Sequence, residues 1–321
     1  MSARPRGGAP PRVTAIVPMH NSRPYLDAAI ESIIAQTYDD WEAVLVDDAS
    51  EDDTYERALA LARREPERIS VVRLERNVGV AAARNTAVER SAGGELIALL
   101  DHDDYWLEDY LERMVELYEG RRAKGRRIGV VACDALIHGP EGITGETAAN
   151  RFGYWVDEVD LDAMLQRNRI FARAVFARAA YDEVGGFSPG CPGFDDYDLW
   201  LRIMEAGYEV VATRDAHAVY RWHSRNMSAN DLLMSDGAIA ALSAALRRGA
   251  LSRGQRRTAR RRLRHYRALR QRALVRRALG EGRPLQAAGR SALAAPLGAI
   301  AFIQQPSRWA EWIRDALRRT R

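Results

Sequence analysis

Asp101, Asp103 and Asp104 place three carboxylates within four positions, directly after the apolar run Leu96 to Leu100. Acids this close repel one another unless a proton, an arginine or a metal lies between them. Oxygen-rich sites of this kind suit hard divalent ions such as Mg²⁺ or Mn²⁺, which stabilise a leaving group that gains charge. The plain alternative is an N-cap for a helix expected to start near Leu107. One Asp fills a cap, so that role covers Asp104 and leaves Asp101 and Asp103 unexplained. Two further acidic groups stand far off in the chain, Asp47-Asp48 and Asp195-Asp196-Tyr197-Asp198. The latter precedes the helical pattern Leu199, Leu201, Ile203, Met204, where acids complement the helix dipole.

The elements that would carry these acids alternate between strand and helix. Val13 to Val17 is a β-branched strand stopped by Pro18, and Asn21-Ser22-Arg23-Pro24 predicts a helix start, with the helix running from Tyr25 to about Gln36. A strand over Trp41 to Val46 ends at Asp47-Asp48, and a helix over Thr54 to Arg64 and a strand over Ile69 to Leu74 follow. Asn77-Val78-Gly79 opens the next helix, with Arg84 one turn in, either solvated or facing a ligand. Then come the Leu96 strand, a helix over Leu107 to Arg121 and a strand over Ile128 to Cys133. This alternation predicts an α/β fold with a parallel sheet covered by helices on both sides. Ligands of such sheets bind at the carboxyl ends of the strands, where Asp47-Asp48 and the Asp101 cluster would stand together. Past Asp134 the pattern loosens. A mobile loop is expected over Gly145 to Tyr154, a helix over Asp160 to Gln166, a strand over Ile170 to Phe176, a short helix over Ala179 to Val184 closed by Gly185-Gly186, and strands at Val210 to Ala212 and Ala218 to Tyr220. The Gly190-Cys191-Pro192-Gly193 loop is expected to set Asp195 and Asp196 on a bend rather than a regular face.

Composition bounds the possibilities. The 321 residues hold only two cysteines, Cys133 and Cys191, too few for a disulfide framework, so a reducing cytoplasm is the expected setting. No run of eighteen apolar residues occurs, against an ordinary membrane span, and residues 1–11 read as a disordered tail rather than a signal peptide. Charge is uneven: residues 247–321 carry 21 Arg against 3 acids, a net +18, whereas the whole chain is +4, which leaves −14 on residues 1–246.

Five motifs, in order, resemble those of family 2 glycosyltransferases: Ile16-Val17-Pro18-Met19-His20-Asn21, Val46-Asp47-Asp48-Ala49-Ser50, Asn77-Val78-Gly79 through Arg84-Asn85, Leu100-Asp101-His102-Asp103-Asp104, and Gly185-Gly186-Phe187 leading to Asp195-Asp196-Tyr197-Asp198-Leu199-Trp200-Leu201-Arg202. The likeness spans about residues 12–230 and is specific as a set. His20 stands where the family often has an aromatic, and Asp195 where Glu is usual. The resemblance implies a GT-A fold, with a nucleotide-binding half over 12–134, an acceptor half over 135–230 and an Arg-rich helical extension over 231–321. It implies that Pro18 and Asp48 border the nucleotide base, Asp48 accepting from uracil if the donor is a UDP-sugar, that Asn21 is a further donor-binding residue, and that Arg84 faces the nucleotide. The Asp101 to Asp104 cluster would carry the D-x-D function, one Asp touching ribose and another, Asp103 or Asp104, holding Mn²⁺ or Mg²⁺. Asp196, beside Asp195, matches the general base of an inverting transfer. His223 is a further candidate ligand of metal or diphosphate, and Arg221 and Arg225 are candidate phosphate partners.

The expected activity is thus metal-dependent, inverting transfer from a nucleotide-sugar to a glycan or lipid-linked acceptor. A sugar nucleotidyltransferase and a catalytically silent binding module of a glycan assembly complex are the competing classes. The basic tail has three readings: a helix packed on the body through Leu263, Tyr266, Leu269 and Leu274; an anionic-membrane contact through residues 251–321 at the inner face, aided by Trp309, Trp312 and Ile313; and, last for want of a base-reading module, nucleic acid.

Overall fold

The structure, a computed structural model, describes residues 11–153, 159–170 and 173–281. Its first half is a run of β-α units: β1 (Val13–Met19), α1 (Leu26–Ile34), β2 (Trp41–Asp47), α2 (Thr54–Ala62), β3 (Ile69–Arg73), α3 (Val80–Arg90) and β4 (Leu96–Leu99). β3, β2, β1 and β4 lie side by side and all parallel. Every residue of β1, β2 and β4 is buried, as continuous apolar runs covered on both faces must be. Because the strands are parallel, the chain after β1, β2 and β4 emerges on one edge. His20-Asn21, Asp48 and the Asp101 cluster therefore share that edge.

The second half departs from the parallel pattern. β5 (Tyr105–Trp106), α4 (Tyr110–Arg122), β6 (Ile128–Gly139), β7 (Gly142–Thr147), α5 (Ala148–Phe152), α6 (Leu161–Gln166), β8 (Ala174–Ala177), α7 (Arg178–Val184), α8 (Asp195–Glu205) and β9 (Glu209–Arg221) continue the chain. β8 joins β4 antiparallel, β6 joins β8 antiparallel, β9 joins β6 parallel and β5 pairs antiparallel with β9. The helix expected at Leu107 starts at Tyr110, because Tyr105 and Trp106 first pair with β9. The expected mobile loop after Gly145 is instead a hairpin and a helix: Gly142, at φ 113°, turns the chain so that β7 pairs back on β6, and Thr147 caps α5. The two short strands expected near 211 and 219 are one strand, β9, with register shifts against β6. Asp195 and Asp196 do not sit on an irregular bend; they are the first two residues of α8. Neither Ser22 nor Asn21 caps α1, whose N-cap position is Tyr25. The Ser22 hydroxyl is occupied by the His20 amide.

After a 3₁₀ turn at Met227–Ala229, α9 (Asp231–Arg248) packs on α8, and α10 (Arg253–Gly280) packs on α9 and α6. Ala238, Ala241, Leu242 and Ala245 of α9 and Ala259 and Leu263 of α10 belong to the same apolar core as the sheet. The body-packed reading of the first part of the tail therefore describes Leu263, with Tyr266 packed against the same core. Trp309, Trp312 and Ile313 lie outside the described residues. Gly237 lets α9 pass against the loop before Asp195: a Cβ there would stand 2.1 Å from the Pro192 carbonyl oxygen. Gly237→Ala is expected to destabilise the chain by about 1–3 kcal/mol, read as a lower urea midpoint.

Candidate active site

The edge after β1 and β2 is built by side chains that fix backbone. Asp48 accepts from the Val78 amide at 2.7 Å and the Gly79 amide at 2.8 Å, so its carboxylate ties the end of β2 to the entry of α3. His20 donates from Nδ1 to the Asp48 carbonyl at 2.9 Å, leaving Nε2 to accept from Asn21. Asn21, at φ 51°, accepts from the Glu51 amide and donates its own amide to Ser50 Oγ. Pro18 presents its carbonyl to His102 Nδ1 at 3.3 Å. These residues are four walls of one loop cluster, and the histidine at position 20 keeps a place in it through hydrogen bonding rather than ring packing.

Arg84, on α3, joins the turn after β4 to the start of α8. Its guanidinium donates to Asp195 Oδ2 at 2.5 Å and to Asp101 Oδ1 at 2.6 Å, and its side chain is 5% exposed. The solvated reading of this arginine does not describe it: the guanidinium is buried between two carboxylates. Asp195 and Asp101, 94 positions apart in the sequence, thereby meet at one cation. Asp196, next to Asp195, is half-buried and accepts from the Tyr197 amide at 2.6 Å. Desolvation and the Asp195 charge push its carboxyl up to about 7, against the pull of Arg84.

The three carboxylates after β4 have different surroundings. Asp101 keeps 30% of its side chain exposed beside Arg84. Asp103 accepts from His223 Nε2 at 3.1 Å and Asn226 Nδ2 at 3.2 Å and is 19% exposed. His223 Nδ1 already accepts from the Arg225 amide at 3.2 Å, so the neutral ring carries its proton on Nε2, toward Asp103. Asp104 turns inward: it accepts from the Arg221 amide at 2.9 Å and faces Arg173 at 3.5 Å, both side chains being 5% exposed. Burial and Asp103 hold the Asp104 carboxyl well above the usual carboxylate range. Its work is to clamp β9 to the β4 end, and it does not face the open side of the site.

Arg221 lies between rings, its guanidinium carbon 5.2 Å from the Tyr25 centroid and 5.3 Å from that of Tyr105. Its Nε is buried with no hydrogen-bond partner, and no carboxylate pairs with it among the described residues. Tyr25 also stacks on His223 at 4.4 Å and has Arg225 at 6.0 Å. Three residues of this corner, Tyr25, Asn226 and Arg173, were not singled out from the sequence. Asn226 lies three positions after His223, but nothing in periodicity marks it. Tyr25 reads there as the first residue of a helix.

The cluster fits a divalent ion of the kind that shares a substrate's phosphates. Among the described residues no group of three or more His, Cys, Asp or Glu side chains is placed to hold a metal by itself. Mg²⁺ and similar ions are bound through one or two carboxylates plus substrate phosphates and water. Asp103, partly open, supplies the carboxylate of such a set with His223 beside it, and the Arg221 cation stands where it could meet the phosphates.

Comparison with known proteins decides the family. The model described as glycosyl transferase family 2 matches residues 14–185. The chain belongs to that family. It is a glycosyltransferase, similar at 30% identity over 228 residues to TuaG of Bacillus subtilis (strain 168), a glycosyltransferase of teichuronic acid biosynthesis, covering 68% of this chain and 82% of TuaG. It is 29% identical over 220 residues to WfaP of Escherichia coli, a UDP-Glc:alpha-D-GlcNAc-diphosphoundecaprenol beta-1,3-glucosyltransferase, covering 68% of this chain and 80% of that protein. The fold matches the mannosyltransferase PcManGT from Pyrobaculum calidifontis in complex with GDP-Man and Mn²⁺, with TM-score 0.63 and 22% identity over 96% of this chain and 86% of that one. It also matches Staphylococcus aureus TarS 1-349 in complex with UDP-GlcNAc, with TM-score 0.61 and 17% identity over 83% and 72%. The GT-A class expected of the sheet is thereby the fold of this family 2 glycosyltransferase. No helix among the described residues is long and apolar enough to cross a membrane.

The raised Asp196 carboxyl has a signed consequence for stability. Its folded value lies above the 3.8 of an ordinary Asp, so the folded chain binds the extra proton between about 4 and 7 and stability falls as pH rises through that window. Asp196→Asn abolishes this dependence. The difference in urea-unfolding free energy between the variant and the natural chain should grow in the variant's favour from pH 4 to 7 and stay level above.

Proposed function

We propose that this glycosyltransferase is a metal-dependent, inverting enzyme that moves a sugar from a UDP-sugar to a lipid-linked glycan acceptor, with Asp196 as general base. The observation that carries the reading is the convergence on Arg84 of the D-x-D strand end and the Asp195-Asp196 helix start. A UDP donor is supported by the activity for which WfaP is named and by the ligand of TarS, and a lipid-linked acceptor by the former.

In this reading Pro18, Asn21 and Asp48 line the base pocket. Asp48 uses one lone pair of each oxygen on the Val78 and Gly79 amides and keeps the others for the base. Asp101 faces the ribose side, with its charge balanced by Arg84. Asp103 would hold the Mn²⁺ or Mg²⁺, His223 would join it through Nε2 once that nitrogen has given up its proton, and Asp104 contributes by anchoring Arg221 rather than by ligation. The ion, when bound, neutralises charge that builds on the departing diphosphate. Arg221 and Arg225 face the same phosphates, and the ring contacts with Tyr25 and Tyr105 fix the Arg221 guanidinium in place before the donor arrives.

Asp196 does the acid–base work. A carboxyl near 7 matches the pH at which it must accept the acceptor hydroxyl's proton and still be ionised in a useful fraction. With one base opposite the leaving group and no second carboxylate nucleophile among the described residues, the acceptor oxygen attacks the anomeric carbon directly. Asp195 is not available as that base, because its Oδ2 is bound to Arg84 and it is 2% exposed.

Asp196→Asn should lower kcat by about 10²–10⁴ while the affinity for a UDP-sugar with Mn²⁺, measured by calorimetry, is unchanged. Transfer within about tenfold of the natural rate would remove Asp196 from the base role.

A further inference from the structure

α10 carries twelve arginines and no acid between Arg253 and Gly280. They do not share one fate. Toward its C-terminal end, Arg270 and Arg276 pair with Asp236 and Asp231 of α9, and Arg277 with Glu281. Toward its N-terminal end, Arg253, Arg257, Arg260, Arg264 and Arg267 recur at helical spacing and fall on one face, with Arg261 beside them. All six are exposed, and none has a carboxylate partner among the described residues. The ridge from Arg253 to Arg267 is about 21 Å long at 1.5 Å per residue.

The opposite face of the same stretch is spent on the body. Ala259 and Leu263 are buried in the common core, Tyr266 sets its ring edge against Phe194 at 5.9 Å, and Gln255 donates to Asp162 of α6. An amphipathic helix that inserts its apolar side into lipid is therefore not what this segment offers, since that side is already covered. What remains outside is charge alone: from Ser252 to Arg267 the exposed residues are Ser, Gly and Arg only.

We propose that the outer face of α10 docks electrostatically, without insertion, on an anionic lipid bilayer. Arginines near such a surface are each attracted by its negative potential, and six on a rigid helix are presented together. A bilayer is favoured over nucleic acid because the ridge is straight and carries no exposed aromatic or amide side chain to stack on or read a base. The helix places this surface directly behind the site: Phe194, which its inner face touches, is the residue before Asp195 and Asp196. Docking rests on the reading of a lipid-linked acceptor for its use, since it would bring the base to the layer in which such an acceptor lies.

The test uses the full chain with vesicles of phosphatidylglycerol and phosphatidylcholine, vesicles of phosphatidylcholine alone, and duplex DNA, all at one ionic strength. Co-sedimentation is expected with the first and not the second, and added salt should release it. The variant Arg257→Gln/Arg260→Gln/Arg264→Gln/Arg267→Gln should bind the anionic vesicles about tenfold or more weakly, with its melting temperature and its Mn²⁺-dependent hydrolysis of UDP-sugar unchanged. Equal binding by the variant, equal binding to neutral vesicles, or tighter binding to DNA than to anionic vesicles would each overturn the proposal. Docking by a chain that transfers no sugar to a lipid-linked acceptor would leave the ridge standing and defeat the acceptor reading; transfer to that acceptor without docking would do the reverse.

Discussion

One buried cation organises the site. Arg84 lies on the first turns of α3, behind the sheet edge, and its planar guanidinium reaches two carboxylates that belong to different parts of the chain. A lysine could not fork in this way. Asp195 is almost fully buried, so without the arginine it would be a desolvated and uncompensated charge, the kind of loss that costs about 3–5 kcal/mol. Burial acts to lower the proton affinity of Arg84, yet Asp195 and Asp101 outweigh it and raise that affinity above its ordinary value, so the bridge stays charged at any working pH. The consequence reaches Asp196, whose proton affinity reflects the balance between Asp195 beside it and Arg84 beyond. The bridge that ties Asp101 to Asp195 thus also tunes the Asp196 carboxyl.

Around that bridge, identical residue types are given different tasks by environment. Asp101, Asp103 and Asp104 follow the same strand, but one is paired to an arginine and open, one is held by an imidazole and an amide, and one is buried under β9. The same holds for the arginines: Arg173 faces a buried acid and Arg221 stands between tyrosines with an unpartnered Nε. A cation left without a carboxylate in the corner that holds three is what an anionic ligand such as a diphosphate would complete.

Much of this was legible in the sequence. The five-residue apolar run ending in acids identifies a buried strand and its outlet, since only a strand covered on both faces needs such continuity, and the run Leu96 to Leu100 is wholly buried. The parallel arrangement of the first four strands follows from their helical crossovers. The order of strands in the second half did not, because β8, β6 and β9 are chosen by which apolar edges remain open rather than by local pattern, and the Gly142 hairpin was concealed by polar residues that read as a loop. The roles within the acid cluster were illegible for a related reason. Spacing places three carboxylates near one another, whereas the turn at Asp101 to Asp104, closed by the Asp104 amide on the Asp101 carbonyl, decides which faces in. Tyr25 and Asn226 act through long-range contacts with His223 and Asp103, which no window along the chain contains.

In the proposed reaction one base, Asp196, would stand across from one cradle of cations, and the acceptor oxygen would displace the diphosphate directly at the anomeric carbon. Proton NMR of the product's anomeric configuration, with a UDP-α-sugar as donor, tests it most directly. A β-linked product is predicted; an α-linked product, meaning retention, would contradict it.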